Sequence, residues 1–219
     1  MKLAVLRRLA VALLLGAAAP AAADTVTHRV FDAGLLAGVQ QPTLFRYRYE
    51  MQGQAVNPPF TSHIEMDVRE VADNGQKAVY FDMFEGPNRR QFGPTAVQDQ
   101  NPLVLVFLQR DVTQMANLTG GAGVYFQQQI RKAFNDPVEA EAIEVEIGDR
   151  KLPASRLVIR PFQNDPSIER FPKFKDKAYE FVVAPDVPGG IYRLASRTPD
   201  PADGHLILEE SVTFEEARP

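Results

Sequence analysis

Between Leu44 and Met51 the chain alternates with a period of two. Phe45, Tyr47, Tyr49 and Met51 fall on one side, and Arg46, Arg48 and Glu50 on the other. A helix would scatter these aromatic groups around its axis, whereas a strand places them all on one face. The same period returns in Ile64, Met66 and Val68, set against Glu65, Asp67 and Arg69, and in Ile143, Val145 and Ile147, set against Glu144 and Glu146. Asn57-Pro58-Pro59, Asp73-Asn74-Gly75 and Gly148-Asp149 punctuate these runs as turns. Three antiparallel strands are expected between Leu44 and Gly86, the third over Ala78–Phe84. In that third strand Val79, Phe81 and Met83 oppose Tyr80 and Phe84, with Asp82 between them. Both of its faces are therefore expected to be covered.

The pattern changes at Asn101-Pro102. Leu103, Val104, Phe107, Leu108, Val112, Met115 and Leu118 recur at helical spacing, and Thr119-Gly120-Gly121 closes the run. Tyr125 or Phe126, Ile130 and Phe134 then line one side of a second helix, which Asn135-Asp136-Pro137 stops. This reads as an αα-hairpin over about 101–135. The block Leu103–Leu108 is also compatible with a buried strand, since a short apolar run does not separate the two by period. Beyond Pro137, strand signals cover 143–147, Leu152–Ile159, Tyr179–Val183, Ile191–Arg197 and 206–214. Pro161–Lys177 reads as a loop and Pro185–Gly190 as a strong turn. Asp24–Gln41 stays open between a strand at Thr25–Phe31 and a helix at Phe31–Val39. The fold class is mainly β (α+β): a curved antiparallel sheet or open barrel of about eight or nine strands with the αα-hairpin packed on it.

The first residues set the address. Lys2, Arg7 and Arg8 precede the apolar run Leu9–Ala19, and Ala21-Ala22-Ala23 precedes Asp24. That layout is a secretory signal peptide cleaved near Ala23; the apolar run is about half of the roughly 20 residues a spanning helix needs. The expectation is a periplasmic or secreted protein with a single domain over 24–219. With no cysteine, it has no disulfide and no lipid anchor on an N-terminal Cys. Removing three basic and no acidic residues takes the formal charge from −4 to −7. An acidic chain argues against nucleic acid as a partner and against electrostatic docking on anionic lipid.

Catalytic patterns are sparse. His28, His63 and His205 share no ligand spacing, so no metal site is expected, and no phosphate loop, nucleotide fingerprint or GxSxG elbow calls for a cofactor. Gly120-Gly121-Ala122-Gly123 reads as a hinge between helices. Asp82 stands in an apolar strand and is expected to pair with Arg89, Arg90 or Arg110. Glu209, Glu210, Glu215 and Glu216 read as the solvent side of the last strand. Arg46 and Arg48 read as a solvated strand face, with an acidic head group as the other reading.

The Tyr/Phe strands, the helical interruption and the turn Ala184-Pro185-Asp186-Val187-Pro188-Gly189-Gly190-Ile191-Tyr192 together resemble the periplasmic lipoprotein-carrier superfamily, in pattern over Leu44–Phe214. The resemblance implies a half-barrel with helices plugging its concave side, and a non-enzymatic protein that shields a lipid-like ligand. Such a ligand would touch Tyr47, Tyr49, Phe81, Met83, Phe107, Met115, Phe126 and Phe181. A second reading is an interaction module of envelope assembly that uses sheet edges and has a filled core. A third is a hydrolase built on Asp82, His63 or His205, which requires two of these in one cleft.

Overall fold

The computed structural model describes residues 24–219. The signal-peptide reading falls on residues 1–23, outside the described residues. The strands are β1 (Thr43–Gln52), β2 (Phe60–Val71), β3 (Lys77–Met83), β4 (Arg90–Val97), β5 (Ala140–Ile147), β6 (Arg150–Ile159), β7 (Ala178–Val183), β8 (Ile191–Pro199) and β9 (Leu206–Arg218). Helices α1 (Leu103–Leu118) and α2 (Gly123–Asn135) lie between β4 and β5. All nine strands form one open antiparallel sheet in the order β4-β3-β2-β1-β9-β8-β7-β6-β5. Two meanders are thus joined where the last strand pairs with the first, Tyr47 opposite Phe214 and Tyr49 opposite Val212. Register shifts in several of the pairs, including one between Arg46 and Tyr47, bend the sheet.

The alternation in the sequence becomes two faces. Phe45, Tyr47 and Tyr49, with Met66, Val79, Phe81, Leu157, Phe181, Leu194 and Val212, are buried on the concave side. The convex side carries cross-strand ion pairs, such as Arg46 with Glu65 at 3.8 Å and with Glu215 at 3.6 Å. The stretch 103–108 is helical, and the hairpin lies on the sheet. Asn101 fixes its start: its Oδ1 accepts from the Leu103 N–H at 3.0 Å, and its Nδ2 donates to the Gly189 carbonyl at 2.8 Å. The turn it grips needs glycine twice. Gly189 and Gly190 have φ of +78° and +72°, and a Cβ on Gly190 would lie 2.7 Å from Leu35.

One strand is added and three expectations are corrected. β4 was not legible as a strand. It is an edge strand, exposed over nearly its whole length and carrying Gly93-Pro94, so it neither alternates nor needs to. The stretch 206–214 belongs to one long strand reaching Arg218. Asp24–Gln41 contains neither a named strand nor a helix at 31–39. A short π-helical turn, His28–Asp32, buries Val30, and Thr25 bridges to Pro137. Finally, among the described residues no second layer covers the convex face of β3. Tyr80 is half-buried there under the Arg69 guanidinium, 4.0 Å from its ring centre. Phe84 leaves the alternation because its φ is +67°, and it packs at 4.7 Å on Tyr49.

Candidate functional site

Every residue expected to touch a ligand lies in the interior. Tyr47 and Tyr49 stand on β1, Phe81 and Met83 on β3, and Phe181 on β7; Phe107 and Met115 come from α1 and Phe126 from α2. Tyr47, Tyr49, Phe126 and Phe181 are 0% exposed, so no void large enough for water touches them. In this conformation the space beneath the hairpin is packed. Phe134 of α2 meets Phe181 edge-on at 5.3 Å. Phe126 sits within 5.2–5.5 Å of Tyr125, Phe162, Phe171 and Phe174, which ties α2 to the irregular stretch before β7.

Beside the apolar contacts of Leu103, Val104, Phe107, Val112 and Met115, α1 is held down by polar groups. Asp111, on the inner stripe of α1, is 0% exposed and Lys177, just before β7, is 1% exposed. The Lys177 ammonium donates to Asp111 Oδ1 at 2.9 Å, to Thr198 Oγ1 at 3.1 Å and to Ser196 Oγ at 3.3 Å. The Tyr179 hydroxyl donates to Asp111 Oδ2 at 2.5 Å and Ser196 Oγ to Oδ1 at 3.2 Å. All three ammonium protons and both carboxylate oxygens are engaged, as a buried pair requires.

A second pair lies beside the first, since Ser196 and Glu210 are register partners across β8 and β9. Glu210 Oε1 accepts from Arg110 Nε at 2.6 Å and from the Tyr49 hydroxyl at 2.5 Å. Glu210 Oε2 is buried without a partner. An unpartnered buried acceptor costs about 1–3 kcal/mol. Burial pushes both phenols well above their ordinary range, and the adjacent carboxylates (Glu210 for Tyr49, Asp111 for Tyr179) push them further. Both therefore stay protonated as donors at any ordinary pH.

Glu210 corrects the sequence reading, which put it on the solvent side. Its parity with Leu208, Val212 and Phe214 was the signal. Asp111 was announced the same way, four residues from both Phe107 and Met115, and Lys177 by its parity with Tyr179 and Phe181.

The cluster opens to solvent on one side only through Arg110, which is half-buried. Its guanidinium lies 4.9 Å from the centre of the Phe84 ring. Outside it is a hollow of about 290 Å³ lined by Met51, Phe60, Phe84, Asn88, Arg90 and Arg110. A wider hollow of about 680 Å³ lies between the N-terminal segment, with Leu35 and Val39, and the β7–β8 turn, with Val187, and Phe45 and Val183 also line it.

The other polar candidates sit on the convex face. Asp82 pairs with Arg89 and accepts from Gln91 at 2.7 Å; the Arg89 hydrogen bond holds its carboxyl below the usual carboxylate range. His63 lies 3.5 Å from Glu85 and from Glu215. Asp82 and His63 do line one hollow of about 220 Å³ with Glu65, Arg46 and Arg89. Among the described residues no serine, threonine or tyrosine lines it. His205 is elsewhere, exposed beside Asp203.

Among the described residues no helix is long and apolar enough to cross a membrane. No family model matches the sequence, and no curated protein matches it. Among solved structures the chain is similar to the Mycobacterium tuberculosis lipoprotein LppX, at 10% identity and a TM-score of 0.30, over 84% of this chain and 94% of that one.

Proposed function

We propose that the protein binds a hydrophobic, lipid-like ligand between the sheet and the α1–α2 hairpin and shields it from water, without transforming it. The observation that carries this reading is the placement of four charged side chains at that contact. An interface that only had to stay shut is at least as stable when apolar, because desolvating Asp111, Lys177, Arg110 and Glu210 offsets most of their attraction. When α1 lifts, those four groups regain hydration, whereas apolar groups would gain nothing. The concave aromatic groups then become available to a ligand. Each methylene buried contributes about 0.8 kcal/mol, so a 16-carbon chain offers on the order of 12 kcal/mol against the opening.

Titration with a fluorescent acyl probe tests this. Saturable enhancement is expected, displaced by unlabelled fatty acid or phospholipid. A folded protein that leaves the probe dark and carries no lipid on extraction contradicts it. The packed concave face also suits the second reading, an interaction module using the exposed edge strand β4. A protein co-purifying in fixed ratio, with no lipid, would select that one.

A further inference from the structure

The hairpin's far end is unlike the rest of the surface. From Val112 to Ile130 there is no charged residue, in a chain that is 24% charged. Arg131 and Lys132 follow, and no acidic residue occurs between Asp111 and Asp136. At the bend itself Leu118 is 69% exposed and Val124 67%. Between them Gly120 and Gly121 take φ of +69° and +113°, with nothing within 4 Å of where a Cβ would stand. Two large apolar side chains flank a bare backbone bend, while Tyr125 behind it ties the hairpin to the body through Asp165. Gly123 keeps the two helices close behind it, since a Cβ there would lie 3.2 Å from Ala116.

We propose that this bend is a membrane-docking tip, with the lipid bilayer as its occupant. A protein partner needs roughly 800 Å² of surface from each side, and two side chains around a glycine bend fall far short of that. A bilayer needs no shaped counterpart; burying Leu118 and Val124 below the head groups gives weak, reversible attachment. The charge pattern makes the same choice. The acidic body is repelled by an anionic surface, and only the uncharged tip approaches lipid without that cost. Attachment therefore rests on apolar insertion and is strongest on zwitterionic lipid. The inference concerns where the hairpin rests, and it stands whether or not a ligand binds beneath it.

The chain has no tryptophan, so Leu118→Trp gives a single reporter. With phosphatidylcholine vesicles its emission is expected to shift to the blue, while Trp at Ala202, in the exposed β8–β9 turn, stays unchanged. Leu118→Asp and Val124→Asp each lower vesicle partitioning by about tenfold or more. Both positions are exposed, so unchanged circular dichroism confirms that these variants fold. An unshifted Leu118→Trp spectrum with no co-flotation overturns the proposal. So does binding confined to anionic vesicles, which would make the attachment electrostatic. A blue shift that grows with protein concentration without vesicles would identify a second copy of the chain as the occupant, and would equally overturn it.

Discussion

Lys177→Met lowers the stability of the protein by about 3–5 kcal/mol, because it leaves the Asp111 carboxylate buried without its countercharge. The methionine fills most of the volume, so the loss is electrostatic rather than a cavity effect. Tyr179 and Ser196 still donate to Asp111, but two neutral hydrogen bonds do not replace an ammonium at 2.9 Å. Urea denaturation reads the change as a lower midpoint with an unchanged slope. Replacing both partners, as Asp111→Leu with Lys177→Met, removes the uncompensated charge and recovers part of that loss, but not all of it, because the buried Tyr179, Ser196 and Thr198 hydroxyls lose their partners. The double variant also separates stability from function. Its hairpin keeps only the Arg110–Glu210 pair of the two buried ion pairs, so acyl-probe uptake slows although the protein is less stable than the parent. Equal losses in the single and double variants would mean that the site depends on packing, and the reading of the polar contact as a gate would fail.

Phe126→Ala removes about 3–5 kcal/mol by a different route. Its ring is the hub of the aromatic group that binds α2 to Phe162, Phe171 and Phe174, with neighbours on every side and no exposure. No rearrangement of one neighbour fills the space of a whole ring, so the site collapses only in part. The loss falls on α2 and on the irregular stretch before β7, away from the β1–β2–β9 sheet. Amide exchange is expected to quicken in 123–135 and 162–177 well before it quickens in β1 or β9. Uniform quickening would show that hairpin and sheet open as one unit, leaving no room for a lid.

What the sequence disclosed follows from which rules acted alone. β1, β2 and β5 are half-buried strands, so period two records their faces directly. The hairpin was legible because Asn101-Pro102, Gly120-Gly121 and Pro137 mark its ends with residues that have few other uses. β4 was hidden because an exposed edge strand has no buried face to record. Phe84 was misplaced because one left-handed residue moves a side chain that alternation assigns to the other face. The charged cluster was harder. Asp111 and Glu210 occupy inward positions by spacing, but an isolated acidic residue at such a place is more often at a frayed edge than paired in a core. Only the fold brings Lys177 and Arg110 to them, from 66 and 100 residues away respectively. The pairing of β1 with β9, which completes the concave face, is likewise set by long-range register.

The hairpin is expected to leave the sheet when a ligand is admitted. The chain has no cysteine, so cysteines placed at Thr113 on α1 and Thr61 on β2, both exposed, carry spin labels without interference. Pulsed dipolar measurement of their separation tests the claim directly. The free protein is expected to show one short distance, and saturation with an acyl ligand to populate a second, longer one. A single unchanged distance in a protein that has demonstrably taken up the ligand would contradict the account.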